Sequence, residues 1–148
     1  MVSSATVLRD TIFTIKSFLS GNLPDSISNR PANQSFIMTS YPTRETTYPL
    51  ITIKDTNSFD QTWLGLQSEA MAHYIEMEIR VWANNVKNRD DLAGSIYNIM
   101  RQNRFGAAGF TGSELHDMRL LSSVNVDDPS GPKSKVMSYR FLTLPGDI

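Results

Sequence analysis

At 148 residues, 20% of them charged, and with a formal net charge of −1, the chain has no electrostatic lean toward nucleic acid or an anionic membrane surface. A hydrophobic fraction of 40% suffices for one core, and the length fits one domain over residues 1–148. The lack of cysteine excludes disulfides, thiolate zinc sites and cysteine nucleophiles, and no apolar run approaches the ~18 residues that span a membrane. Met1 to Asp10 has neither the basic start nor the apolar middle of a signal peptide, so the chain is expected to fold inside a cell.

Leu8, Ile12, Ile15 and Leu19 recur at helical spacing, with Val7 and Phe18 widening the stripe, and predict an amphipathic helix over Ser4 to Leu19. Ser3 or Ser4 is the expected N-cap, and Ser20-Gly21-Asn22 before Pro24 marks the end. Asp25 to Asn33 is a polar loop, fixed by Pro31 and anchored by Ile27. Phe36 to Ser40 and Leu50 to Lys54 are expected to be short strands, with Pro42 and Pro49 at their borders, where a missing N–H does least harm. Asp55 to Glu69 is expected to be a long loop carrying Phe59, Trp63, Leu64 and Leu66, and a loop of that length is often functional.

Met71 to Trp82 alternates strictly. Met71, His73, Ile75, Met77, Ile79 and Val81 interleave with Ala72, Tyr74, Glu76, Glu78, Arg80 and Trp82, which predicts a strand with one buried face. A helix is expected over Asn88 to Asn103, with Asn88 as cap, Asp91 closing a capping-box-like pair, and Leu92, Ile96, Ile99 and Met100 facing inward. Arg101 and Arg104 suit the negative end of its dipole. Phe105 to Gly112 is a glycine- and alanine-rich segment. Met118 to Val126 and Val136 to Leu144 complete the pattern as strands joined by the turn Asp127-Asp128-Pro129-Ser130-Gly131-Pro132. Each helix has one apolar stripe and the longest strand one apolar side, so the expected fold is α+β: a mainly antiparallel sheet with two helices packed on one face.

Few residues suggest chemistry. His73 falls on the apolar side of its strand, where an imidazole is more often structural than basic. His116 with Glu114 and Asp117 makes a solvated turn, short of the ligands and supporting shell that a metal site requires. Glu76 and Glu78 stand about 7 Å apart on one strand face, but Arg80 continues the row, so a charged outer face explains them better than paired catalytic carboxylates. Gly106 to Gly112 follows a helix rather than leading into one and lacks a Lys-Ser/Thr pair, unlike a phosphate loop. Ser130 and Lys133 have a Ser-x-x-Lys spacing inside a Pro/Gly turn, and Asn33-Gln34-Ser35 is a glycosylation sequon without a secretory context. Trp63, Leu64, Leu66, Phe105 and Phe110 remain as candidate subunit or partner contacts: they either tuck under their loops or dock onto another protein.

The order of helix, two short strands, long loop, long strand, helix and two strands resembles that of the tail terminator (tail completion) proteins of tailed bacteriophages. The resemblance rests on the first helix, the Tyr48-Pro49-Leu50-Ile51-Thr52-Ile53 strand, the Met71 to Trp82 strand, the Asn88-Arg89-Asp90-Asp91 helix start and the closing hairpin. It covers nearly the whole chain, but the family is defined by size and element order rather than by an invariant motif. It implies a virion protein without enzymatic activity, cofactor or metal, assembled in the host cytoplasm. Such subunits form a ring, a homohexamer, that caps the tail-tube protein and meets the head–tail connector protein, with no specific nucleic-acid or membrane binding. The alternatives are a small-molecule-binding or enzymatic α+β domain with His73 at its pocket wall, and another neck or head-completion component.

Overall fold

A computed structural model describes residues 7–41, 46–63, 71–102, 115–127, 129 and 131–143. The elements are α1 (Val7–Asn22), β1 (Ile37–Met38), β2 (Leu50–Trp63), β3 (Met71–Ala83), α2 (Val86–Gln102), β4 (Leu115–Asp127) and β5 (Lys133–Thr143). The strands form one five-stranded sheet in the order β1-β2-β3-β5-β4. β1 runs parallel to β2, and every other pairing is antiparallel. The α+β class is therefore as the sequence predicts.

The period-two pattern of β3 sets the layers. Ile75, Met77, Ile79, Val81 and Ala83 are buried, whereas Tyr74, Glu76, Glu78, Arg80 and Trp82 are half-exposed on the opposite face. Cross-strand registers extend the buried face: Ile51 opposes Val81 and Ile53 opposes Ile79 on one side, and Met137, Tyr139 and Phe141 oppose Ile79, Met77 and Ile75 on the other. Both helices cover this face. α1 contributes Ile15, Phe18 and Leu19, and α2 contributes Ala93, Ile96 and Met100, to one continuous apolar cluster. Fully burying side chains of this kind stabilises by about 1.5–3 kcal/mol each, so this two-layer contact is the main favourable term in folding.

Three expectations need correction. The segment from Asp55 to Trp63 is not a loop. β2 runs for 14 residues from Leu50 to Trp63, and this second part of it pairs with the first half of β3. Register shifts between Asp55 and Asn57 and between Asp60 and Thr62 break the side-chain alternation by which a strand is recognised. The cap of α2 lies earlier than Asn88: Asn85 Oδ1 accepts the Asn88 backbone N–H at 2.8 Å, one turn ahead of the predicted start. The inner face of α2 is also rotated, with Arg89, Ala93, Ile96 and Met100 buried and Leu92 and Ile99 only partly so. Ser3, Ser4 and the predicted loop between α2 and β4 lie outside the described residues.

One anchor could not be seen in the pattern. Arg30 Nη1 donates to the Thr47 carbonyl and Nη2 to the Pro49 carbonyl, each at 2.6 Å, while Nε and Nη2 grip Asp25. Its guanidinium lies 5.3 Å from the Phe36 ring centroid. This residue, rather than Ile27 alone, fastens the loop after α1 to the start of β2.

Candidate functional site

The helices cover one face of the sheet, and among the described residues no helix or strand lies over the other. That open face carries cross-strand pairs of opposite charge. Lys54 Nζ is 3.0 Å from Glu78 Oε2, and Arg140 Nη2 donates to Glu76 Oε1 at 3.0 Å. The Glu76-Glu78-Arg80 row is thus a neutralised outer surface, as its alternation suggests, and not a pair of free carboxylates.

Toward the end of β3 the same face becomes aromatic. The Trp82 indole N–H donates to Thr52 Oγ1 at 3.1 Å, Arg80 stacks on the indole with its guanidinium carbon 4.0 Å from the ring centroid, and Tyr41 tilts against the indole at 4.7 Å. The Tyr41 and Tyr48 hydroxyls share a hydrogen bond, and burial is the main cause raising the Tyr41 phenol above its ordinary value. Arg80 also donates to Ser134 Oγ, which in turn donates to the Val126 carbonyl at 2.6 Å. One polar chain therefore crosses β3, β5 and β4.

β4 is the outermost strand, and among the described residues nothing pairs with its free side. Met118 is buried, but Leu120, Leu121, Val124 and Val126 are exposed, Val124 by 54%. Asp117 takes a positive φ of 45° where the register slips between His116 and Arg119. Such a bulge places its extra residue in the left-handed region that aspartate tolerates better than most side chains. Asp117 Oδ1 accepts from Arg119 Nε at 3.2 Å, so this carboxylate serves the bulge.

An open groove of about 330 Å³ lies between the C-terminal half of α2 and β4, lined by Tyr97, Arg101, Met118, Arg119 and Leu120. Beneath it Tyr139 is fully buried, and burial first, with Tyr97 adding to it, pushes its phenol well above the ordinary range. Among the described residues the groove's lining is two arginines, a tyrosine, a methionine and a leucine, which can bind a surface but include neither a nucleophile–base pair nor a ligand set.

The sequence candidates are only partly placed. Trp63 is the last residue of β2, but its side chain, like that of His116, is not among those described. Leu64, Leu66, Phe105, Phe110, Glu114 and Ser130 lie outside the described residues. His73 is half-buried in β3 and faces the helix side, in step with Ile75. No group of three or more His, Cys, Asp or Glu residues among the described residues could hold a metal ion, and no described helix is long and apolar enough to cross a membrane. The free edge and the aromatic end of the open face were missed, although both had a signal. Arg80 and Trp82 share one strand face, and Leu120 to Val126 contains no charge.

No protein-family model matches the chain, and no curated protein matches it in sequence.

Proposed function

We propose that the chain is a non-enzymatic structural subunit of the tail terminator kind, which assembles into a homohexameric ring that ends the tail tube and presents a surface to the head–tail connector. The observation that carries this reading is the distribution of surface. One sheet face carries both helices, while among the described residues no helix or strand covers the other face, with its aromatic and charged rows, or pairs with the free side of β4. A subunit built to assemble has a reason to keep such surfaces; rings close when two different patches on each copy meet by rotation. The element order adds the family resemblance. Several charged side chains are engaged in structural pairs: Arg89 with Asp90 and Asp127, Glu76 with Arg140, and Glu78 with Lys54. No cofactor or metal enters the proposal, and the site of action is the virion neck.

Native mass spectrometry of the purified chain, followed by its addition to tail-tube protein from the same genome, tests the reading. A six-membered ring that arrests tube growth at substoichiometric amounts is the expected outcome. A chain that never exceeds a small oligomer and leaves tube length unchanged overturns it.

A further inference from the structure

Tyr41 and Tyr48 meet at the aromatic end of the open face. Their hydroxyls share a hydrogen bond although the residues stand seven positions apart, and the Tyr41 ring lies 4.7 Å from that of Trp82, centroid to centroid. Tyr41 is 44% exposed and Tyr48 half-buried, so a small reagent reaches the pair. The chain's other tyrosines are placed differently. Tyr139 is fully buried and donates to Met137 Sδ at 3.9 Å, Tyr74 lies under the Arg140 guanidinium, and Tyr97 lines the groove beside α2. Two phenols bonded through oxygen are held for one particular reaction. In a phenoxyl radical the unpaired electron is shared between the oxygen and the ring carbons ortho and para to it. The para carbon bears the side-chain stem, so carbon–carbon coupling takes place at the ortho carbons, Cε. Each Cε is two bonds from its oxygen, and the coupled product keeps its hydroxyls adjacent, as the hydrogen bond already holds them.

We propose that Tyr41 and Tyr48 are a site of oxidative modification, at which a one-electron oxidant of the haem–peroxide class joins them as a dityrosine. Each phenol gives one electron to the oxidant and its hydroxyl proton to water. The two phenoxyl radicals then form a Cε–Cε bond, and each coupled carbon passes its hydrogen, as a proton, to its own ring's oxygen. Hydrogen peroxide takes up the two electrons and two protons and leaves as two molecules of water. The surroundings direct the oxidising charge to the phenols. The Arg80 guanidinium, 4.0 Å from the Trp82 ring centroid, disfavours positive charge on the neighbouring indole. The new bond acts where the sheet is least paired. β1 meets β2 only through Ile37 with Ile51 and Met38 with Thr52, and the chain between these strands holds both tyrosines. A covalent tie across that connection restricts the unfolded chain, as a disulfide does, and this chain has no cysteine to do it otherwise. The site lies within one chain and does not depend on assembly into a ring.

Treatment of the purified chain with a small haem peptide and hydrogen peroxide, under conditions that couple N-acetyltyrosine in a parallel tube, tests this. Trypsin cleaves after Arg44, between the two tyrosines, so a dityrosine leaves their peptides joined and lighter by two hydrogen atoms than their sum. The expected result is that joined species, with the blue emission of dityrosine, in a yield that does not change when the protein is diluted before oxidation. Tyr41→Phe and Tyr48→Phe each abolish it, and Tyr97→Phe leaves it intact; each variant keeps its aromatic ring, so the packing around it is retained. Joined peptides that persist in either of the first two variants, a yield that falls on dilution, or no joined peptides from the parent overturns the proposal. None of these outcomes bears on whether the chain forms a ring with other copies.

Discussion

Arg89, on the first turn of α2, donates from Nη1 to both carboxylate oxygens of Asp127, at the far end of β4, with the Oδ1 contact at 2.6 Å. Nε of the same guanidinium donates to Asp90 at 2.9 Å, and Lys135 Nζ sits 3.0 Å from Asp90. Asp127 Oδ1 also accepts the Ser134 backbone N–H. The helix start and the tip of the β4–β5 hairpin are thus held by one buried cation between two carboxylates. Replacing Arg89 by Met keeps much of the stem's packing but removes every donor, leaving Asp127 without its strongest partner. Arg89→Met is expected to lower the melting temperature by several degrees, and Asp127→Asn by less, because the amide still accepts one hydrogen bond. The double variant should be less destabilised than the sum of the two, as a double-mutant cycle by thermal unfolding would show.

The same cluster gives the fold an acid-sensitive seam. Hydrogen bonds from Arg89 first, and then Lys135, hold the Asp90 carboxyl down at about 2, and Arg89 likewise lowers Asp127. Arg30 lowers Asp25 in the same direction. A carboxylate depressed in the folded state binds fewer protons there than in the unfolded chain. Its contribution is therefore complete above the unfolded value near 3.8 and fades as pH falls through the folded one. Urea midpoints measured from about pH 5 down to about pH 2.5 are expected to fall steadily, and the slope should flatten in Arg89→Met. Equal slopes in parent and variant would remove Arg89 from the explanation.

The core tolerates little truncation. Ile79 lies at the centre of the sheet between Ile53 and Met137, and Ile96 meets that face from α2; both are fully buried. Ile79→Ala and Ile96→Ala should each cost about 2–5 kcal/mol by denaturant unfolding, the range for cavities left by large aliphatic residues. Phe13, half-exposed on α1, provides the contrast. Phe13→Ala should fall within about 0.5 kcal/mol of the parent.

What the sequence made legible follows from how each element is stabilised. β3 was readable because one face is buried along its length, and the two helices because each has one apolar stripe. The second half of β2 was not readable, since its residues from Lys54 to Asn57 are exposed and its bulges disrupt the period of two. Its strand character comes from hydrogen bonding to β3, which is tertiary information. Arg89 counts as surface in any hydropathy pattern, yet it is buried because Asp127, thirty-eight residues away, neutralises it. That β4 stands at the edge follows from sheet order, which no local pattern encodes; only its uncharged stretch from Leu120 to Val126 is visible in the sequence.

The aromatic end of the open face supplies the last test. The Arg80 guanidinium sits over the Trp82 ring, and three further contacts fix the pair: Thr52 Oγ1 accepts the indole N–H, Tyr41 tilts against the ring, and Ser134 Oγ accepts from the guanidinium. A guanidinium held over an indole at a partly exposed site is worth about 0.5–1 kcal/mol beyond its other contacts. A cycle of Arg80→Met, Trp82→Leu and the double variant isolates that coupling, provided that both residues share it directly. Because Ser134 Oγ also binds the Val126 carbonyl, Arg80→Met alone should loosen the β5–β4 side of the sheet, while Trp82→Leu should loosen the β2 side through Thr52. Amide hydrogen exchange separates the two effects: faster exchange near Ser134 in the first variant and near Thr52 in the second. A coupling energy of zero with identical exchange patterns would mean that the stacked pair only decorates the surface and transmits nothing between the strands.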